Sequence, residues 1–488
     1  MERKIPRCMS TQHPDNVNPP FFAESAEMEG QDEIQEAYYA FSHLGCDEQM
    51  WDCEGKEVDS FVVKKLLSKY EGYFRENHIG KDIFLTLRVP NPAIEKDEAK
   101  ILLETLESIP RSFDTAKLFY QDDIPPIFEV ILPMTSSAIS LDRIYRYYRD
   151  FVVGKQNISF RKGDITIAEW IGTFEPEQIN IIPLFEDFKN MLGADSITRE
   201  YLRDKNVEYQ RVFLARSDPA MNYGQISAIL MNKVALHRLQ RLEDELSIPI
   251  YPIIGVGSAP FRGNLKPDNV DSIMVEYPSV QTFTVQSAFK FDYPHDLVQE
   301  GIRSINEGSR GRAEEVDEEK CRAIIERCAN AYRDALIKIA PLVNEVSNFV
   351  PRRRKRKLHI GLFGYSRSLE GIRLPRAIGF CCAFYSLGIP PEVLGLDGLT
   401  DRDIDYLRDV SPHFDDNMRD ALQFLNPDSM KLLPDRIWKA VDELDLEIAV
   451  NEEHCHFTSQ VLDIVRHSTG RGMGEAVLQA ANLRGFLG

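Results

Sequence analysis

Short apolar runs rich in β-branched and aromatic residues recur along the chain, each followed by polar residues, glycine or proline. Runs of this kind predict buried strands. There are eight: Ile5–Ser10, Ile83–Arg88, Ile127–Pro133, Ile179–Phe185, Arg211–Arg216, Ile250–Val256, Val280–Val285 and Leu358–Phe363. Helical patterns separate most of them, namely Glu24–Leu44, Ala93–Leu106, Ser137–Phe151 and Gln225–Glu245, and another long helix is predicted near Glu314–Val346.

Strands that are apolar throughout and alternate with helices indicate a buried parallel sheet. Eight of them predict a closed (β/α)8 barrel of the TIM type. The long segments between the first two predicted strands and between the last two predict large helical insertions in the barrel. We expect one barrel-based unit over residues 1–488, with barrel strands within about 5–363 and a mostly helical part over about 368–488.

The charge balance excludes one large class of function. The chain has 58 Lys and Arg against 77 Asp and Glu, a formal net charge of −19. Because duplex nucleic-acid binding depends on a basic field, we expect no nucleic-acid partner. The 8 cysteines form no CxxC pair, and no apolar run is long enough for a membrane span. These features predict a cytoplasmic protein that does not bind membranes.

Two carboxylates follow predicted strands. Glu186 lies in Ile181-Ile-Pro-Leu-Phe-Glu-Asp, and Asp218 lies in Phe213-Leu-Ala-Arg-Ser-Asp-Pro. The loops at the carboxyl ends of barrel strands build the active site, and two carboxylates there suit Mg²⁺ or Mn²⁺. The alternative is that they serve the first turns of helices, where acidic residues are common.

Basic residues also stand at or just beyond predicted strand ends, namely His13, Arg88, Arg262, Arg367 and Arg376. The guanidinium fork suits phosphate and carboxylate, so convergence of the arginines at the barrel mouth would bind a small, highly charged anion. A single arginine is more often paired with a surface acid. An imidazole exchanges protons near neutral pH, although a lone histidine is more often structural.

Two further features are weaker candidates. Glu452-Glu-His-Cys-His456 resembles a metal cluster, but in a helix only Glu452 and His456 share a face. The basic run Arg352–Lys357 resembles a nucleic-acid or nuclear-import patch. In so acidic a chain we interpret this run as a solvated loop, a subunit contact or an anion site.

Five motifs occur in order at strand ends: Thr11-Gln-His-Pro, Pro183-Leu-Phe-Glu, Arg216-Ser-Asp, Phe261-Arg-Gly and Gly364-Tyr-Ser-Arg-Ser. Together they resemble phosphoenolpyruvate carboxylase, most closely its short archaeal-type form. The resemblance extends through Leu374-Pro-Arg-Ala-Ile and Pro391-Glu-Val-Leu-Gly-Leu, nearly end to end. It implies a carboxy-lyase that forms oxaloacetate and phosphate from phosphoenolpyruvate and bicarbonate, through carboxyphosphate and a metal-stabilised enolate. It also implies a homo-oligomer, namely a homotetramer.

The resemblance implies roles for individual residues. Glu186 and Asp218 match the family's metal ligands, and His13 matches its catalytic histidine. Its arginines have four counterparts here: Arg262 in the glycine-rich loop with a catalytic and substrate-binding role, Arg367 and Arg376 on the substrate phosphate, and Arg88 facing the substrate.

The chain departs from the longer members of the family at three positions. Val256 replaces the first loop arginine, and Met221 and Asn222 replace a Lys-Asp pair. These positions help hold substrate or bicarbonate in the longer enzymes, so the sequence leaves open how bicarbonate is held. Two other functions stay open on the residues alone: a metal-dependent α-keto acid lyase or aldolase on the same barrel, and a non-catalytic helical scaffold protein.

Overall fold

Eight parallel strands close into a barrel, and their order around the barrel follows their order along the chain. The computed structural model describes residues 4–54, 59–355, 367–369, 372–467 and 470–488. The barrel strands are β1 (Cys8–Ser10), β2 (Glu48–Asp52), β3 (Phe84–Arg88), β4 (Glu129–Leu132), β5 (Asn180–Phe185), β6 (Gln210–Ala215), β7 (Ile250–Gly255) and β8 (Thr282–Val285). Pairing of β8 with β1, in which Thr284 lies beside Met9, closes the barrel. The predicted (β/α)8 barrel is confirmed.

Helices follow the strands and also form most of the chain after the barrel. The described α-helices are α1 (Gln31–Tyr39), α2 (Val62–Lys69), α3 (Glu71–Glu76), α4 (Ala99–Tyr120), α5 (Ala138–Arg146), α6 (Ile167–Ile171), α7 (Phe188–Leu192), α8 (Ala194–Leu202), α9 (Ser217–Tyr223), α10 (Gln225–Leu246), α11 (Val270–Glu276), α12 (Ser287–Phe291), α13 (His295–Glu307), α14 (Glu318–Ser347), α15 (Ala377–Ser386), α16 (Asp401–Val410), α17 (Phe414–Leu422), α18 (Asp435–Asp442), α19 (Glu452–His467) and α20 (Met473–Arg484). A short antiparallel pair, β9 (Arg367–Leu369) and β10 (Ile372–Leu374), precedes α15.

The sequence pattern located seven of the eight barrel strands and missed one. The missed strand is β2, whose sequence Glu-Gln-Met-Trp-Asp carries an acid at each end and so lacks the apolar run that marked the others. The prediction that the eighth strand is Leu358–Phe363 is wrong as to the barrel, because β2 completes the closed ring. The segment Leu358–Phe363 itself lies outside the described residues.

Strand β2 shows how the barrel interior is layered. Side chains alternate between the two faces of a strand, so Glu48, Met50 and Asp52 share one face. Met50 belongs to an apolar cluster inside the barrel with residues such as Ile131 and Phe213. Glu48 precedes this apolar layer, and Asp52 follows it at the carboxyl end of the strand. The interior therefore has charged groups at both ends and an apolar layer between them.

The long helix α14 confirms the helical pattern predicted near Glu314–Val346. Its buried face includes Cys321 and Cys328, which pack as core thiols. Among the described residues, no single helix is long and apolar enough to cross a membrane. The bent pair Ala377–Ser386 and Pro391–Gly398 passes that test on length and composition only, across a 97° bend.

Candidate active site

The two predicted metal ligands lie at the ends of neighbouring strands. Glu186 directly follows β5, and Asp218 is the second residue of α9, which follows β6. Glu186 is buried, and its Oε2 accepts a hydrogen bond of 2.5 Å from the backbone N–H of Met134. Burial, together with the nearby charge of Asp218, raises the pKa of Glu186 to about 8. Two acidic groups placed close enough to repel each other fit a site for a divalent cation.

The alternative, that Glu186 and Asp218 serve the first turns of helices, does not apply to Glu186. Asp187, rather than Glu186, caps α7, because its side chain accepts a hydrogen bond from the N–H of Asn190. Asp218 does lie in the first turn of α9. The carboxylate of Glu186 is therefore not used in capping that helix. The donor set of Glu186 and Asp218, two carboxylates with hard oxygen atoms, suits Mg²⁺ or Mn²⁺.

Arg88 ends β3 inside the mouth and is held by acids rather than exposed. Its Nε and Nη2 donate to the two carboxylate oxygens of Asp52, at 3.1 and 2.7 Å. The carboxylate of Glu54 lies 3.7 Å from Nη2. This two-pronged pair fixes the plane of the guanidinium. The charge of Arg88 still reaches the metal-ligand candidate, because it lowers the pKa of Glu186 against the effect of burial.

Arg262 is buried and its guanidinium is extensively bonded to the protein. Nε donates to the hydroxyl of Ser217 at 3.0 Å, and Nη1 donates to Asp15 at 3.2 Å. Further donations go to the side-chain oxygen of Gln286 and the backbone oxygen of Gly488. Ser217 is adjacent to Asp218, so Arg262 links the loop after β7 to the candidate metal site. Arg262 therefore holds together several of the loops at the barrel mouth.

His13 lies in the loop after β1, half-buried. Its Nδ1 is 2.9 Å from the hydroxyl of Thr11, and its backbone oxygen accepts hydrogen bonds from the N–H groups of Asp15 and Ser287. The second of these connections ties the loop to α12, which follows β8. The backbone of His13 is thus fixed at the barrel mouth, and its ring lies beside the Thr11 hydroxyl.

The predicted phosphate arginines lie on and just after the hairpin of β9 and β10. Arg367 pairs with Leu374 in the hairpin register, and Arg376 follows two residues later, immediately before α15. The side chain of Arg367 lies outside the described part of the structure. Arg376 is exposed, and its charge opposes the rise that burial causes in the pKa of Glu54. This interaction connects the hairpin to the barrel mouth.

Sequence reasoning missed the acids that follow the missed strand. Asp52 ends β2, and Glu54 lies two residues beyond it, fully buried. Burial raises the pKa of Glu54 to about 7 against the opposing charge of Arg88. The signal was available in the pattern Trp51-Asp-Cys-Glu, an acid after a β-forming residue, but the strand before it was missed because its own acids interrupt the apolar run.

Three features that sequence analysis left open have clear surroundings. Val256 is buried against Gly263, where a Cβ on the glycine would come within 2.5 Å of the valine, so this position is apolar. In the helix α19, His454 is buried against Arg484, and among the described residues no cluster of three metal-ligating side chains occurs. In the basic run, Arg353 and Arg354 are buried, so the interpretation as a solvated loop is wrong for these two, and a subunit contact or an anion site stays a prediction.

The fold and the charged mouth define a (β/α)8-barrel enzyme whose candidate site residues stand at the carboxyl ends of the strands. The chain belongs to the phosphoenolpyruvate carboxylase family, since a family model of that description matches residues 5–488. A phosphoenolpyruvate carboxylase from Methanothermobacter thermautotrophicus is 55% identical, over 99% of this chain and 100% of that protein. One from Pyrococcus furiosus is 50% identical, over 99% of this chain and 100% of that protein.

Solved structures of other barrel proteins are more distant. An HpcH/HpaI aldolase from Desulfitobacterium hafniense DCB-2 is 14% identical, with a TM-score of 0.33, covering 62% of this chain and 93% of that chain. A malate synthase from Haloferax volcanii, solved with magnesium and glyoxylate, is 10% identical, with a TM-score of 0.38, covering 66% of this chain and 80% of that chain.

Proposed function

We propose that the chain is a carboxy-lyase that converts phosphoenolpyruvate and bicarbonate into oxaloacetate and phosphate. Membership of the family supports this activity. The observation that carries the proposal is the barrel mouth, where Glu186 and Asp218 lie at neighbouring strand ends and Arg88 is close enough to act on Glu186. That arrangement suits an anionic substrate beside a divalent cation.

Glu186 and Asp218 would hold Mg²⁺ or Mn²⁺. When bound, the cation supplies positive charge where negative charge develops on the enolate oxygen. The burial of Glu186 keeps one face of the site away from bulk water. Exclusion of water matters here because an enolate that meets water takes up a proton and is lost as pyruvate.

The arginines would bind the phosphate group while bicarbonate attacks the phosphorus. We assign Arg367 and Arg376 to the phosphate, as the family resemblance implies; in the hairpin Arg367 pairs with Leu374, two residues before Arg376. Arg88 and Arg262 contribute positive charge to the mouth, although each already donates to protein acceptors. The products of this first step are carboxyphosphate and the enolate of pyruvate.

His13 would manage the proton of carboxyphosphate so that CO₂ forms beside the enolate, which then attacks it. Replacing His13 with Asn removes the titrating ring but keeps a polar side chain. We expect the His13→Asn variant to release phosphate in a bicarbonate-dependent reaction while pyruvate replaces oxaloacetate. Near-normal oxaloacetate would make His13 structural, and loss of phosphate release would place it in the first step.

The activity is tested by a coupled oxaloacetate assay in which phosphoenolpyruvate, bicarbonate and Mg²⁺ are each omitted in turn. Omission of any one should abolish the product. A lyase or aldolase of an α-keto acid would not release phosphate in a bicarbonate-dependent manner, and family membership does not favour it. A scaffold protein would show no Mg²⁺-dependent thermal stabilisation by phosphoenolpyruvate.

The enzyme is also proposed to be a homo-oligomer, a homotetramer by family resemblance, and cytoplasmic. Seven of the fourteen exposed large apolar residues in the described part of the chain lie between Ile139 and Ile171. Such a concentration is typical of an interface between subunits. We expect Trp170→Glu to lower the mass measured by light scattering, and Leu118→Glu, elsewhere on the surface, to leave it unchanged.

All eight cysteines are free thiols, which fits a reducing compartment.

A further inference from the structure

The basic run Arg352–Lys357 contains a buried arginine with two acidic partners. Arg354 donates to Glu33 from Nη1 and to Glu36 from Nη2, both at 2.8 Å. The side chains of these three residues are between 0% and 3% exposed. Burying charges is costly unless they are paired and hydrogen-bonded, so this ion pair needs a structural or functional reason.

The second oxygen of Glu36 extends the contact to the barrel. Lys290, on α12, donates to Glu36 Oε1 at 3.0 Å, to the Ser10 hydroxyl at 3.0 Å and to the Thr11 backbone oxygen at 2.9 Å. An ammonium has three N–H donors, and these contacts use all of them. Burial alone would raise the pKa of Glu36, but Arg354 and Lys290 lower it to about 2.

The chain of contacts ends at the proposed catalytic histidine. Thr11, whose backbone oxygen Lys290 binds, places its hydroxyl 2.9 Å from His13 Nδ1. On the other side of the loop, Arg353 donates from Nε and Nη2 to the backbone oxygen of Val17, at 2.9 and 2.6 Å. The two adjacent arginines of the basic run therefore contact residues on both sides of the His13 loop, one directly and one through Glu36 and Lys290.

We propose that Arg354, Glu36 and Lys290 are positioning residues that set the orientation of His13 for the carboxylation step. This inference rests on the role of His13 in the proposed function. The hydrogen bonds described for this network reach β1 and the loop after it, and they do not involve Glu186 or Asp218. Its loss should therefore impair delivery of CO₂ to the enolate more than phosphoryl transfer, since a displacement of about 1 Å of a catalytic group costs about a hundredfold in rate.

The test uses Lys290→Met, which removes all three contacts to the loop and to Glu36. We expect the ratio of oxaloacetate to released phosphate to fall about tenfold or more, with pyruvate making up the difference. The KM for phosphoenolpyruvate should change by less than about threefold, because substrate binding is left intact. Arg354→Lys, which keeps a positive charge, should give a smaller fall in the ratio than Lys290→Met.

A matched control separates positioning from loss of a buried charge. Lys233, on α10, is equally enclosed and contacts Glu276 and Glu314, far along the chain from the His13 loop. Lys233→Met should keep the product ratio whatever it does to stability. If Lys290→Met fails to fold, Glu36→Gln decides the question, because it keeps the shape of the side chain but removes the charge that links Arg354 to Lys290.

The outcomes are distinguishable. A fall in the ratio in Lys290→Met or Glu36→Gln, absent in Lys233→Met, supports the inference. An unchanged ratio in both Lys290→Met and Glu36→Gln, with a fall in His13→Asn, overturns it and leaves the proposed function standing. An unchanged ratio in His13→Asn overturns the role of His13 itself, and the positioning inference with it.

Discussion

The two ends of the barrel interior carry charges in different arrangements. At the end where the strands begin, Arg211 on β6 donates to Glu48 on β2 and Glu129 on β4, at distances of 2.7 to 2.9 Å. All three side chains are between 0% and 4% exposed. Burial alone would lower the pKa of Arg211, but the two glutamates raise it above its usual value.

At the other end, Glu186 and Asp218 place like charges near each other. Their repulsion adds to burial, and the pKa of Glu186 rises to about 8. Placing a carboxylate where its charged form is disfavoured costs free energy in the protein alone, without a bound cation. Such a cost is typical of sites that bind a partner of opposite charge.

The same barrel therefore has paired charges at one end and mutually repelling carboxylates at the other, where we propose that binding takes place. The apolar layer that includes Met50, Ile131 and Phe213 separates the two ends. Because the apolar layer lies between the two groups, changes at one end should add to changes at the other. Substitutions at the end where the strands begin should therefore affect stability, and substitutions at the mouth should affect catalysis.

The largest expected effect is on stability, from Arg211→Met. The substitution leaves Glu48 and Glu129 buried without their cation, and breaking a buried ion pair costs about 3–5 kcal/mol. The free energy of unfolding in urea should fall by that amount, while kcat of the folded enzyme stays within about twofold. The triple variant Arg211→Met, Glu48→Gln, Glu129→Gln should recover much of the loss. A loss below about 1 kcal/mol would show that the cluster is not a stabilising unit.

Next is the converse change at the mouth, Glu186→Gln. We expect activity to fall by about a hundredfold or more, because one of the two proposed metal ligands is lost. Stability should be kept, since the amide matches the carboxylate in shape and removes its repulsion with Asp218. Asp187→Asn is the control, because asparagine also caps a helix. Full activity of Glu186→Gln, with metal still required, would mean that the ligands are wrongly assigned.

A smaller effect is expected from the hairpin arginines. Charge-assisted hydrogen bonds are worth about 1.5–3 kcal/mol, so Arg367→Ala and Arg376→Ala should each lower kcat/KM for phosphoenolpyruvate about 10- to 150-fold. Metal affinity should not change. The exposed Arg373, on β10 between them, provides the control Arg373→Ala. Losses of less than about twofold in both variants would place the phosphate elsewhere.

How far the sequence predicts this molecule follows from where its charges lie. Apolar runs such as Ile181–Phe185 predict their strands well, because those strands are buried on both faces. Strand β2 could not be found in this way, since its inward face carries Glu48 and Asp52. The partner of Glu48, Arg211, is 163 residues away in the chain, so only the folded structure shows why those acids are buried.

The same limit applies to the site. Local sequence placed Glu186, Asp218 and His13 just after strands, where the structure has them. The local sequence could not predict that Arg262 would donate hydrogen bonds to Asp15 and Gln286, because those partners come from other loops of the barrel. Proximity to a strand end is thus predictable from pattern, while the direction in which a side chain donates depends on contacts between distant segments.

The smallest expected effect is from Asp52→Asn, which tests whether Arg88 belongs to the mouth or to the structural network. The amide can keep one of the two hydrogen bonds to the guanidinium, and Glu54, 3.7 Å away, still offers a negative charge. Arg88 should therefore stay buried and paired but lose the fixed plane that two bonds impose. We expect the KM for phosphoenolpyruvate to rise roughly fivefold, equivalent to about 1 kcal/mol, with the free energy of unfolding changed by less than that amount. Steady-state kinetics and urea unfolding of the same preparation separate the two readouts. A loss of stability with no change in KM would place Arg88 with Arg211 among the structural charges, and a change in KM alone would place it with Glu186 among the functional ones.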